Sequence, residues 1–216
     1  MKKMAFGLFG TSYNPNYKHW SGRTKVVDFR KSFYNYKKNI FDYFSKENFE
    51  IDVFISTFEN ELKDNLLLTY NPKKAEFYRM FKNAPQYYPK NYLIIKLLES
   101  IIQYSKQNNV KYDNLLLTRF DLEFLIPFNK LDNQINYSQF NNFSILEHQN
   151  VICDNFYLMP FNFIEKFLNI FLKNKNSNPH YFKNQFIENF EKINYIHNEY
   201  VGIAYLKSYT IIHNWK

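Results

Sequence analysis

Asn114 to Phe124 reads NLLLTRFDLEF, and its first half settles the architecture. NLLLT, Asn114 to Thr118, is apolar on both faces, as a strand is when it lies mid-sheet in a parallel array covered by helices above and below. Upstream, Asn91 to Asn109 carries Leu93, Ile94, Leu97, Leu98, Ile101, Ile102 and Tyr104 at the period of an amphipathic helix and closes on Asn108-Asn109. Farther back, Met4 to Phe9 reads as a first strand ended by Gly10, and a polar loop then runs through Ser21-Gly22. Val26 to Phe44 keeps helical steps through Val26, Phe29, Phe33, Tyr36, Ile40, Tyr43 and Phe44, and DVFISTF, Asp52 to Phe58, reads as a second strand. Strand, helix and strand in that order build a parallel sheet.

Glu59 to Lys90 is broken by Pro72, Pro85 and Pro89. Beyond Pro127 an Asn-rich segment leads to Val151 to Leu158 as a strand and Asn162 to Leu172 as an aromatic helix. Two more helical stretches, near Tyr181 to Ile193 and Asn198 to Leu206, precede a last strand at Tyr209 to His213. The aromatic helix has the spacing of a core-facing element (Phe161, Phe163, Ile164, Phe167, Leu168, Phe171) and is assigned to the core. No internal repeat and no Gly- or Ser-rich linker divides the chain. The expected fold is a single α/β domain, a mixed, mainly parallel central sheet flanked by helices.

The 28 Lys and Arg against 20 Asp and Glu leave a net charge of +8, and 21% of residues are aromatic. Basic charge with many rings is the signature of nucleic-acid binding. Here the lysines are scattered in ones and twos with acids between them, and AT-rich codon usage accounts for the excess of Asn, Lys, Phe and Tyr, so no nucleic-acid partner is expected. An anionic small ligand suits the charge. The single cysteine, Cys153, allows neither an intrachain disulfide nor a cysteine-based metal site; it reads as a small buried hydrophobe in a reducing compartment, the cytoplasm. The apolar start stops after about six residues, short of the ~7–15 of a signal sequence. No run approaches the ~20 residues of a membrane span, which leaves peripheral contact through lysines and aromatics as the membrane interaction compatible with the sequence.

The chemistry-bearing segment is Thr118 to Phe124, TRFDLEF. Asp121 and Glu123, one residue apart, place two carboxylates on one side of an extended backbone, where both can approach a divalent cation. The spacing alone is weak evidence, since Glu59 and Glu61 share it. Position separates the two pairs, because Asp121 and Glu123 follow the central strand, at whose carboxyl end open α/β sheets bind ligands. Arg119 is one of only four arginines, and a planar guanidinium beside a metal-binding acid suits a diphosphate or carboxylate. Its competing role is a structural ion pair with Asp121 or Glu123. The five histidines, at 19, 148, 180, 197 and 213, show no close metal spacing, and no GxGxxG, GxxxxGK[ST] or GxSxG motif occurs.

KYDNLLLTRFDLEF, Lys111 to Phe124, and IDVFISTF, Ile51 to Phe58, together resemble GT-A-type glycosyltransferases of capsule and lipopolysaccharide gene clusters and of large DNA viruses, whose patterns read YDIIIRTRFDLxF and DVFIHTW. Order and separation agree. A looser likeness continues at Asp154-Asn155-Phe156 and at Asn198-Glu199-Tyr200. The first loop departs from the family: GTSYNPNYKHWSGR, Gly10 to Arg23, stands where a short SGQLR-like loop is usual.

The resemblance implies a nucleotide-binding half at 1–126 and an acceptor-side half at 127–216. It implies a nucleotide-sugar donor, UDP-linked, and a glycan acceptor. Asp121 and Glu123 would hold Mn²⁺ or Mg²⁺ against the diphosphate, with His213 as a third ligand. Gly10, Thr11 and Ser12 would carry the base or ribose, Ser56 and Thr57 the nucleoside, and Arg23 and Arg119 the phosphates. For an inverting reaction Asp154, then Glu199, is the candidate base. The alternatives are a metal-dependent nuclease or phosphotransferase using Asp121, Glu123 and Asp154, and a basic nucleic-acid-binding domain.

Overall fold

The computed structural model describes residues 1–18, 24–125, 128–131, 135–142, 145–146, 151–196, 209–211 and 214–215. β1 (Lys2–Gly10) leads into an antiparallel pair, β2 (Tyr13–Lys18) and β3 (Thr24–Asp28). α1 (Phe29–Tyr36) continues through a π-helical turn at Lys37–Phe41 into α2 (Asp42–Lys46). β4 (Phe49–Phe58), α3 (Lys63–Tyr70), β5 (Lys74–Tyr78) and α4 (Tyr88–Gln107) follow. Then come β6 (Asn114–Arg119), β7 (Leu122–Phe124), α5 (Phe128–Leu131), β8 (Phe140–Asn142), β9 (Ile145–Leu146) and β10 (Val151–Ile152). The last elements are β11 (Phe156–Pro160), α6 (Ile164–Lys173), α7 (Lys183–Phe190), β12 (Ile193–Tyr195), β13 (Tyr209–Ile211) and β14 (Asn214–Trp215).

Seven strands form one sheet in the order β12-β8-β11-β6-β1-β4-β5. β5, β4, β1 and β6 are mutually parallel, β11 runs against both of its neighbours, and β12 is again parallel to β8. The sheet is therefore mixed and mainly parallel, as NLLLT and DVFISTF predict. Alternation along β1 feeds two cores. Ala5 and Phe9 join Phe54, Leu115 and Leu117 beneath Leu93, Ile94, Leu97 and Leu98 of α4. Met4, Phe6 and Leu8 join Ile55 and Leu116 on the face covered by Phe29, Tyr36, Ile40 and Phe44.

Gly7 lets α4 approach the sheet. A Cβ there would stand 2.5 Å from Leu117 Cδ2 and 2.8 Å from Leu97 Cδ2. Both leucines are fully buried, so Gly7→Ala is expected to lower stability by about 1–3 kcal/mol through overpacking, read as a reduced urea midpoint.

The structure departs from the sequence reading in several places, three of which bear on the site. The helix expected from Val26 starts at Phe29, because Asp28 is its N-cap, accepting from the Arg30 N–H at 3.0 Å, and Val26 and Val27 belong to β3. The loop expected after Gly10 contains β2, with a register shift between Asn14 and Tyr17 where Pro15 removes a ladder donor. The strand expected over Val151 to Leu158 is two strands, parted at Cys153 to Asn155. The helix expected over Asn198 to Leu206 lies outside the described residues. Among the described residues no helix is long and apolar enough to cross a membrane.

Candidate functional site

From β1 the chain adds β4 and β5 on one side, then returns through α4 to place β6 on the other side of β1. The first crossover packs on one face of the sheet and α4 on the opposite face, so the carboxyl ends of β1 and β6 flank a topological switch point, where such sheets have a crevice. Register brings the ends together: Phe9 pairs with Ser56 on β4 and with Arg119 on β6. β11 arrives from the other direction with Phe156 opposite Thr118, which sets Asp154 and Asn155 at the same edge. β5 ends at this edge too, and the chain then enters α4, whose first turn carries Lys90.

Arg119 lies on the same side of β6 as Leu115 and Leu117, facing α4. Its Nε donates to Asp121 Oδ1 at 2.7 Å, its Nη2 to Asp121 Oδ2 at 2.6 Å, and its Nη1 to Asn155 Oδ1 at 3.0 Å. This is the ion pair with Asp121 that the sequence allowed as an alternative. Three side chains on one face of α1 fix the backbone beneath it. The Tyr36 hydroxyl donates to the Arg119 carbonyl, the Ser32 hydroxyl donates to the Phe120 carbonyl, and Asn35 both donates to the Phe124 carbonyl and accepts from its N–H, each at 2.9 Å. Burial works against the Arg119 charge, but the charge and hydrogen bonds of Asp121, with Asp154 behind, more than offset it and raise its pKa.

Asp154 is 8% exposed and binds the Lys90 ammonium through Oδ2. His180 Nε2 lies 3.5 Å from the same oxygen, and His180 Nδ1 is 2.7 Å from the Ile152 carbonyl, which puts the proton on Nδ1. Asn142 holds the bend, accepting from the Cys153 N–H at 3.0 Å and donating to the Cys153 carbonyl at 2.9 Å. Burial pushes the Asp154 carboxyl up, but Lys90, His180 and Arg119 together bring it down to about 2. For Lys90 burial pulls the pKa down, Asp154 counters that, and Arg119 pushes it down further, leaving it lowered. In this arrangement the Asp154 carboxylate is held in its charged form, as the partner of the Lys90 ammonium.

Gly10, Thr11, Lys90, Arg119 and Asp121 border a cavity of about 310 Å³, with Phe9, Phe58 and Leu93 on its apolar side. Gly10 has φ +101°, a backbone conformation that glycine adopts freely. Ser12 and Thr57 do not reach this space. Both are fully buried: the Thr57 hydroxyl donates to the Gly10 carbonyl at 2.8 Å and accepts from the Ser12 N–H at 3.1 Å, so the pair shapes the loop that presents Thr11. Ser56 is also fully buried, outside the cavity lining. Arg23, Glu199 and His213 lie outside the described residues. The structure adds Lys90 to the site, and it gives partners there to His180 and Asn155, to which the sequence assigns no role.

No family model matches the sequence, and no curated protein matches it. Among solved structures the chain is similar to a glycosyltransferase involved in the glycosylation of the major capsid of PBCV-1, with a TM-score of 0.40 and 11% identity over 83% of this chain and 69% of that one. It is also similar to HddC from Yersinia pseudotuberculosis, complexed with GMP-PN, with a TM-score of 0.42 and 11% identity over 98% of this chain and 93% of that one.

A Mg²⁺ or Mn²⁺ ion takes oxygen ligands, commonly one or two carboxylates beside phosphates and waters. Both oxygens of Asp121 are engaged by a guanidinium, whose charge opposes a cation at the same carboxylate. Glu123 is exposed, on β7 between the buried Leu122 and Phe124, and does not line the cavity. Among the described residues no group of three or more His, Cys, Asp or Glu side chains is placed to hold a metal. The described residues thus do not fit a cation held jointly by Asp121 and Glu123.

Proposed function

We propose that this chain is a glycosyltransferase that moves a sugar from a nucleotide-diphosphate donor, UDP-linked, to a glycan acceptor. One observation carries the reading: two cations from different elements, Lys90 of α4 and Arg119 of β6, border one cavity at the switch point of a mainly parallel sheet, beside the glycine-led loop after β1. The TRFDLEF segment that resembles the transferases is the segment that supplies Arg119 and Asp121. In this reading the nucleoside rests over Gly10 and Thr11, and the diphosphate faces the guanidinium and ammonium. The C1–oxygen bond of the sugar breaks with its electron pair leaving on the diphosphate. The acceptor oxygen bonds to C1, and its proton passes to solvent.

Thermal unfolding with UDP, GDP, dTDP and CMP tests this. At about a hundred times its dissociation constant a ligand adds ~2.7 kcal/mol, a rise of roughly 5–10 °C for a domain of this size. UDP is expected to give that rise in wild type, and Arg119→Lys, which keeps the charge but loses the planar fork, is expected to reduce it. Equal shifts with all four, or none, together with phosphodiester cleavage, would favour a nuclease instead.

A further inference from the structure

We infer that the donor's diphosphate is neutralised by the protein's own cations, Lys90 and Arg119, with Asp154 and His180 as positioning residues for Lys90, so that nucleotide binding needs no divalent cation. This rests on the donor reading above.

Three observations carry it. First, both cations keep hydrogen-bond donors in reserve. An ammonium has three N–H groups, and among the described residues Lys90 makes one hydrogen bond, to Asp154. A guanidinium has five, of which Arg119 uses three among the described residues, on Asp121 and Asn155. Their side chains are 22% and 24% exposed, and both border the cavity.

Second, the two cations crowd one another although each has a single carboxylate partner, Asp121 for Arg119 and Asp154 for Lys90. Lys90 and Arg119 are near enough for the guanidinium to disfavour the ammonium's charge. Two like charges held together in a partly desolvated site are relieved by an anion bound between them. Lys90 also stands in the first turn of the 20-residue α4, where the helix dipole disfavours a cation and favours an anion. A lysine in that place is unfavourable for the helix alone and suits an anion bound beside it.

Third, the carboxylates that would draw a metal are already committed to these cations. Asp121 is bidentate with Arg119 and Asp154 is bound to Lys90, so a metal at either would sit against a fixed positive charge. The acids orient the cations; the cations meet the phosphates.

Isothermal titration calorimetry on the full chain decides the matter, using UDP, GDP and dTDP, each in EDTA and in Mn²⁺, and uridine, guanosine and thymidine as phosphate-free controls. UDP is expected to bind in EDTA, with Mn²⁺ changing its affinity less than about tenfold, the scale of one charge-assisted contact. The double variant Lys90→Met/Asp154→Asn removes both charges of the pair, which avoids leaving one buried alone. It is expected to weaken the diphosphate by about 10- to 100-fold while leaving the matching nucleoside unchanged, a split that a purely structural role would not produce. Wild-type binding that requires Mn²⁺, or a double variant that binds the diphosphate as wild type does, would overturn this inference and leave the donor reading standing. No binding by any nucleotide in either condition would remove the donor reading itself.

Discussion

Asp154→Asn is expected to destabilise the protein by about 2–3 kcal/mol, because it leaves the partly buried Lys90 ammonium beside Arg119 without its counter-charge. Asparagine keeps the size of the side chain and an acceptor oxygen, so the loss isolates the charge. The pH dependence gives the effect a sign. With its carboxyl lowered from 3.8 to about 2, wild-type Asp154 contributes about 2 kcal/mol that is fully present above pH 4 and lost as pH falls through 2. The variant lacks that acid-side loss. Its Lys90, with no carboxylate opposite, titrates further below the ordinary 10.5. Between that lowered value and 10.5 the unfolded chain binds more protons than the folded one, so the variant's stability rises with pH. Urea unfolding at pH 3, 5, 7 and 9 measures both limbs, and Lys90→Met/Asp154→Asn is expected to recover most of the loss. A single variant within 0.5 kcal/mol of wild type, the spread usual for surface substitutions, would mean that the pair is solvated and of no structural consequence.

Phe140→Ala is expected to cost about 3–5 kcal/mol without altering nucleotide affinity. Phe140 is fully buried and stacks on Phe190 with ring centroids 4.8 Å apart and planes 2° from parallel. Phe186 lies at 5.0 Å, Phe167 at 5.8 Å and Tyr157 at 6.2 Å. Removing a ring from the centre of this cluster leaves a void enclosed by other rigid rings, which cannot collapse to fill it. None of these rings lines the cavity at the switch point, so binding by the folded fraction should be unchanged. Paired urea and calorimetric titrations check both halves. A small stability loss accompanied by weaker ligand binding would make the aromatic helix an open platform instead of core.

What the sequence made legible follows from the range over which each signal acts. NLLLT, DVFISTF and the Leu-Ile face of α4 are local patterns with one physical solution, and β6, β4 and α4 follow them closely. The aromatic spacing of α6 likewise reads correctly as core. The pairing of β2 with β3 was hidden because Val26 and Phe29 happen to continue a helical period that Asp28 interrupts with its cap. Thr57 and Ser12 looked like ligand contacts because they follow strand ends. Only the register of β1 on β4, which sets Gly10 opposite Thr57, shows that they bond to the loop itself. Lys90 and Asp154 are 64 residues apart, and no local pattern joins them. One signal was available: a lysine in the first turn of a long helix opposes the helix dipole, and such a conflict between local preference and placement marks a functional position.

The most direct test of the central claim is a crystal structure of the wild-type chain with the nucleoside diphosphate that raises its unfolding midpoint. Phosphate oxygens are expected within about 3 Å of Lys90 Nζ and of an Arg119 Nη nitrogen, with the nucleoside over Gly10 and Thr11. A nucleotide bound away from the β1–β6 crevice, or one whose phosphates touch neither cation, would contradict it.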